Sequence, residues 1–251
     1  MGVVNGKDRV LLPKPKPFVM LQPCQSVGML ASVRSIDEAR FIINEPIDIL
    51  DLKEPSKGAL GAVDDFTVRN IVKTINGRMT ISATIGDIVE MDPALISQRV
   101  QAMVAMKVDI IKVGFFPSPL IEQCIEQLSK YTNCGTKIVA VIFADLNEID
   151  LTLLAIFAEK GFYGVMIDTA AKGNGSLLHY ISIEKLSAFI EECHRLKLIS
   201  GLAGSLKKED VSILQPLRPV YLGFRSALCG DGRNGDIDLV KVRTIRQELL
   251  K

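Results

Sequence analysis

Two stretches decide the fold: Ile47-Asp48-Ile49-Leu50-Asp51-Leu52-Lys53 and Asp109-Ile110-Ile111-Lys112-Val113-Gly114. Both are apolar and β-prone, and neither carries a helical stripe. Each nevertheless places a lysine where a strand ends. Burying an ammonium group costs several kcal/mol unless it is paired or neutralised. A chain that does this twice is expected to use the amines.

Working outward, the same kind of run recurs along the chain. Strands are predicted at Met29–Val33, Ile47–Leu52, Met79–Ile85, Asp109–Gly114, Lys137–Ala144, Gly164–Asp168, Leu198–Ala203 and Val220–Phe224. Helical patterns lie between them. Asp64–Ile75 puts Phe66, Ile71, Val72 and Ile75 on or near one face. Asp92–Met106 opens on Asp92-Pro93, a good N-cap and first-turn pair, and Ser118–Tyr131 opens in the same way on Ser118-Pro119. Ile183–Leu196 and Ile237–Leu250 complete the later part. About eight such units, spaced by roughly 25–30 residues, predict an α/β fold of the (β/α)8 TIM-barrel type in a single domain. The rival, a doubly wound sheet, usually carries a glycine fingerprint after its first strand. Here Val33 is followed by Arg34-Ser35-Ile36.

Side chains alternate faces along a strand. Ile49, Asp51 and Lys53 therefore share one face, as do Ser82 and Thr84, Ile110 and Lys112, and Met166 and Asp168. The opposite faces hold Leu50, Leu52, Ile81, Ala83, Ile111, Val113, Val165 and Ile167, which suit packing under helices. Polar groups converge inside, towards the C-terminal strand ends where barrel enzymes keep their sites.

The bulk composition narrows the function. The chain has 251 residues, is 48% hydrophobic and carries a net charge of +1, so a basic footprint for nucleic acid is lacking. No apolar run reaches roughly 18 residues, and no membrane partner is expected. The cysteines (Cys24, Cys124, Cys134, Cys193 and Cys229) are scattered and odd in number, which suits a reducing, cytoplasmic compartment. No His/Cys/carboxylate cluster has metal-ligand spacing, so no metal and no cofactor are expected. Residues 1–27, with Pro13-Lys14-Pro15-Lys16-Pro17, read as a flexible leader ahead of a catalytic domain at 28–251. The apolar outer helices are compatible with a homo-oligomer.

Two ammonium groups in one barrel mouth repel each other, and desolvation adds to this, so at least one should lose its proton more readily than a free lysine. A neutral amine can attack a carbonyl and form an imine, and a second amine can then take the acidified C–H proton. Asp51 and Asp168 could orient or neutralise the lysines, and Lys172 lies just past the sixth strand. Gly204 and Ser205 follow the seventh strand. Gly223 and Arg225, then Gly230-Asp231-Gly232-Arg233, follow the eighth. Small residues there let main-chain N–H groups approach a phosphate, and Arg225 is expected to add a bidentate contact. These residues alone leave open an imine-forming lyase, another class I aldolase acting on sugar phosphates, and a barrel that only binds a phosphorylated ligand.

From about Met29 to the C-terminus the chain resembles the (5-formylfuran-3-yl)methyl phosphate synthase family, also called 4-HFC-P synthase. The motifs that carry the resemblance are Asp-Ile-Leu-Asp-Leu-Lys-Glu-Pro at 48–55, Gly-Ala-Leu-Gly-Ala at 58–62 and Ser-Ala-Thr-Ile-Gly-Asp at 82–87. Ile-Lys-Val-Gly at 111–114, Asp-Thr-Ala-Ala-Lys at 168–172 and Leu-Ala-Gly-Ser-Leu-Lys-Lys at 202–208 complete the set. The resemblance implies a TIM-barrel lyase of methanofuran biosynthesis. It would join two molecules of glyceraldehyde 3-phosphate and release phosphate and water. It further implies that Lys53 forms the Schiff base, that Lys112 accepts the proton, and that Asp51, Asp168 and Lys172 are active-site residues. The stretch Gly230–Asp236 looks shorter than the family's basic, glycine-rich version, and Gly173-Asn174-Gly175 also varies.

Overall fold

The computed structural model describes residues 26–171 and 175–251. Most of the expected leader, and Lys172 with its two following neighbours, lie outside the described residues. Eight strands form one closed parallel barrel in sequence order. They are β1 (Gly28–Val33), β2 (Ile49–Leu52), β3 (Thr80–Thr84), β4 (Ile110–Phe115), β5 (Lys137–Phe143), β6 (Gly164–Asp168), β7 (Ile199–Leu202) and β8 (Tyr221–Phe224). The ring closes where β1 pairs with β8. The helices between them are α1 (Ile36–Ile42), α2 (Asp65–Ile75), α3 (Pro93–Ala105), α4 (Ile121–Thr132), α5 (Thr152–Glu159), α6 (Ile183–Arg195), α7 (Lys208–Leu214) and α8 (Leu239–Leu249).

Each predicted strand is present, with ends moved by at most two residues. The capping chemistry explains most helix starts. Asp64 accepts the Thr67 N–H at 2.9 Å and opens α2, while Asp92 accepts from Ala94 and Leu95 ahead of Pro93 in α3. Such caps satisfy N–H groups that have no partner within the helix.

Two expectations are corrected. Helix α4 begins at Ile121 rather than at Ser118, because the Ser118 hydroxyl is spent on a local turn, accepting the Leu120 N–H at 3.1 Å. Phe66 does not join the buried face of α2. It is 76% exposed, since it stands one residue into the helix and Val68, Ile71 and Ile75 make the contact instead.

The core has two layers. The outward-facing residues Leu50, Leu52, Ile81, Ala83, Ile111, Val113, Val165 and Ile167 are all buried between sheet and helices. At roughly 1.5–3 kcal/mol per large aliphatic side chain, this layer supplies much of the driving force for closure. Inside the barrel the buried set is mixed, and contains Ser32, Asp51, Ser82, Thr84, Lys112 and Asp168 beside Leu30 and Met166. Among the described residues no helix is long and apolar enough to cross a membrane.

Candidate active site

Strand register assembles the site. Ser32 of β1 stands opposite Asp51 of β2, which stands opposite Ser82 of β3. Their side chains point into the barrel at one level, so both hydroxyls reach the carboxylate. Ser32 donates to Asp51 Oδ2 at 2.8 Å and Ser82 to Oδ1 at 2.7 Å. Lys112 of β4, in register with Thr84 of β3, adds its ammonium to Asp51 Oδ1 at 2.7 Å. Asp51 and Lys112 are both buried. A charge at this depth persists only when paired and hydrogen-bonded, and this carboxylate has three donors.

Lys53 lies one residue past β2, tied to the barrel by its own N–H to the Val33 carbonyl at 2.9 Å. Its Nζ approaches Asp168 Oδ2, at the end of β6, at 3.3 Å. Asp168 Oδ1 accepts the Thr169 N–H at 2.7 Å. Among the described residues the site therefore has two lysine–carboxylate pairs at two depths. The lower is short and enclosed, and the upper is longer and borders the mouth.

Burial holds the Lys112 ammonium below the ordinary lysine value of 10.5. Asp51 acts against that shift, and the charge on Lys53 acts with it. At the floor, burial and the nearby Asp51 push the Tyr221 phenol up, so it stays neutral. Gly201 makes room for it, since a Cβ there would overlap the Tyr221 ring.

The mouth is finished by loops. After β7, Gly204 (φ 111°) and Ser205 (φ 49°) both turn left-handed. A Cβ on Gly204 would stand 2.9 Å from the Thr169 methyl, so only glycine lets this turn pack against the end of β6. Gly223 in β8 is likewise pressed against Met166 and Ala203. Between β2 and α2, the chain from Glu54 to Gly61 closes on itself through the Glu54 N–H to the Gly61 carbonyl at 2.8 Å. Asp87 pins that loop by accepting the N–H groups of Ala59 and Leu60.

The arginine assignment changes. Arg225 does not present its guanidinium to a phosphate. Nη1 donates to Glu38 Oε2 at 2.6 Å and to the Ser32 carbonyl, and Nη2 to Glu38 Oε1 and the Gly235 carbonyl. Nε donates to the Arg233 carbonyl at 2.9 Å. Every N–H of the fork is spent on protein, with Glu38 also held by Arg34. Both arginines line the cavity, with Lys53, Lys112, Asp168, Gly204, Ser205 and Gly223, but among the described residues Arg233 makes only one guanidinium hydrogen bond, to the Gly58 carbonyl. Sequence reading quoted Arg233 only as part of a glycine-rich run. Glu38 and Ser32 had no local signal of a role, and Ser82 and Asp87 appeared only within the 82–87 motif and, for Ser82, on the face it shares with Thr84. Among the described residues no group of three or more His, Cys, Asp or Glu side chains is placed to hold a metal ion.

The closed parallel barrel and the polar cavity at its C-terminal strand ends define a (β/α)8-barrel protein with an enzyme-like site. The fold is shared at low identity with phosphoribosyl anthranilate isomerase from Thermus thermophilus. That match has a TM-score of 0.64 and 13% identity, and covers 89% of this chain and 98% of that one. A family model described as 4-HFC-P synthase matches residues 29–246. The (5-formylfuran-3-yl)methyl phosphate synthase of Methanosarcina mazei is 33% identical over 233 residues, 89% of this chain and 96% of that protein. That of Methanocaldococcus jannaschii is 31% identical over 231 residues, 87% of this chain and 98% of that protein. The chain belongs to the 4-HFC-P synthase family, a family of enzymes.

Proposed function

We propose that this enzyme joins two molecules of glyceraldehyde 3-phosphate into (5-formylfuran-3-yl)methyl phosphate, with release of phosphate and water, through an imine on Lys53. The observation that carries this reading is the pair of lysines at two depths, each against its own carboxylate. Lys53, near the mouth, is within reach of an entering carbonyl, and Asp168 at 3.3 Å is placed to take the proton its amine must lose. Loss of water from the carbinolamine gives the imine, which acidifies the adjacent C–H. Lys112, whose amine is held towards its neutral form by burial, accepts that proton while Asp51 receives the resulting ammonium. The main-chain N–H groups around Gly204 and Ser205 suit the phosphate that stays on the product. Lys172 belongs to the same reading as an active-site residue. The enzyme would act in the cytoplasm, without a bound cofactor, on the way to a furan-bearing carrier such as methanofuran.

The experiment is incubation with glyceraldehyde 3-phosphate and borohydride, followed by peptide mass analysis. An adduct on Lys53 is expected, and its absence overturns the imine. Without borohydride, a furan aldehyde and inorganic phosphate should appear together. A class I aldolase would give the adduct and no inorganic phosphate.

A further inference from the structure

Two arginines stand at the end of β8, and they are not equivalent. Arg225 is buried and fully committed to Glu38 and to carbonyl groups, two of which belong to Arg233 and Gly235. It therefore fixes the course of the 230–236 loop. Arg233, on that loop, is half-buried and lines the cavity beside Lys53 and Asp168. Among the described residues its guanidinium makes one hydrogen bond, from Nη2 to the Gly58 carbonyl at 2.8 Å. A guanidinium has five N–H groups in a planar fork that fits a phosphate, so most of this fork is unspent. Arg233 also reaches from the loop after β8 to the loop after β2, the strand that leads into Lys53. It borders a second groove as well, between α7 and α8, shared with Lys207 and Lys241.

We propose that Arg233 is the catalytic residue that binds the phosphate lost during the reaction, and that Arg225 is its positioning residue. The inference rests on the imine reading above. Two triose phosphates bring two phosphates, and one leaves. With the first triose held as an imine on Lys53, Lys112 takes the proton from the adjacent carbon and an enamine forms. The enamine electrons then move outward, the neighbouring C–O bond breaks, and its electron pair stays on the phosphate oxygen. A monoprotonated ester with one negative charge leaves as hydrogen phosphate with two. The charge grows as the bond breaks, so a cation at this position stabilises the transition state more than the ground state. The groove between α7 and α8 gives the freed ion an outlet past the same arginine.

The test compares wild type with Arg233→Ala and Arg233→Lys, each assayed for phosphate release, for the borohydride adduct and for inhibition by inorganic phosphate. Arg233→Ala is expected to keep the adduct on Lys53 while kcat for phosphate release falls by about 10²–10³-fold. Inhibition by inorganic phosphate should weaken by at least about tenfold, and lysine should restore part of both. Unchanged phosphate inhibition in Arg233→Ala, whatever happens to turnover, would reduce Arg233 to a strap on Gly58 and overturn the proposal. If the alanine variant does not fold, Arg233→Gln keeps a donor for Gly58, removes the charge and carries the same comparison. If wild type gives no adduct, the imine reading fails, while phosphate inhibition of the variants still decides whether Arg233 holds the anion.

Discussion

The two lysine–carboxylate pairs contain the same groups and differ in everything around them. Lys112 and Asp51 meet at 2.7 Å, and both Asp51 oxygens are also held by serine hydroxyls. Lys53 and Asp168 meet at 3.3 Å, at the edge of the cavity, with a main-chain N–H on the second oxygen. The lower pair is over-determined and keeps its geometry whatever occupies the mouth. The upper pair is longer and borders the cavity, and in the proposed mechanism a carbonyl replaces the carboxylate as the partner of Lys53. In the proposed mechanism, depth in the barrel rather than residue type separates the acid–base station from the nucleophile.

The sharpest way to break this contrast is to exchange the roles. Lys53→Ala should lower phosphate release by at least roughly 10⁴-fold and abolish the borohydride adduct, because the proposed imine forms on that amine. An adduct that moves to Lys112 with activity kept would erase the distinction. Lys112→Met should cost less, about 10²–10⁴-fold in turnover as for loss of a general base, with the adduct on Lys53 retained in mass spectra.

Much of this was legible beforehand. Alternation along β2, β3, β4 and β6 placed Asp51, Lys53, Ser82, Lys112 and Asp168 inside the barrel, because a strand has only two faces and its hydrophobic one was evident. The partner of Arg225 was not legible. Glu38 lies 187 residues away, and proximity of that kind exists only after β8 has closed against β1. The same holds for Arg233, whose carbonyl is gripped by one arginine while its guanidinium reaches Gly58 across the mouth. Phe66 misled for a local reason: the first turn of a helix can carry a large apolar side chain outward, and periodicity does not report this.

Smaller perturbations sharpen the comparison. Ser82→Ala removes one of the donors to a buried carboxylate and should cost about 1–3 kcal/mol in urea unfolding. The subtlest signal is in pH. Because Lys112 is lowered by burial, the folded protein binds fewer protons than the unfolded chain between that lowered value and 10.5. Stability contributed at this site therefore rises with pH across that window, by up to about 1.4 kcal/mol per pH unit. Urea titrations on the alkaline side should show the rise in wild type and its loss in Lys112→Met. An identical slope in both proteins would place the proton uptake elsewhere.

The bond network from Arg225 to Glu38 and to the Ser32 carbonyl spans the seam between the last strand and the first unit. During synthesis the chain emerges from its N-terminus. Lys53 and Lys112 are therefore made long before the residues that close the chamber around them. Without the closed barrel, Lys112 lacks the burial that lowers its ammonium. The burial that lowers Lys112 is thus a property of the closed barrel and not of any shorter piece of the chain.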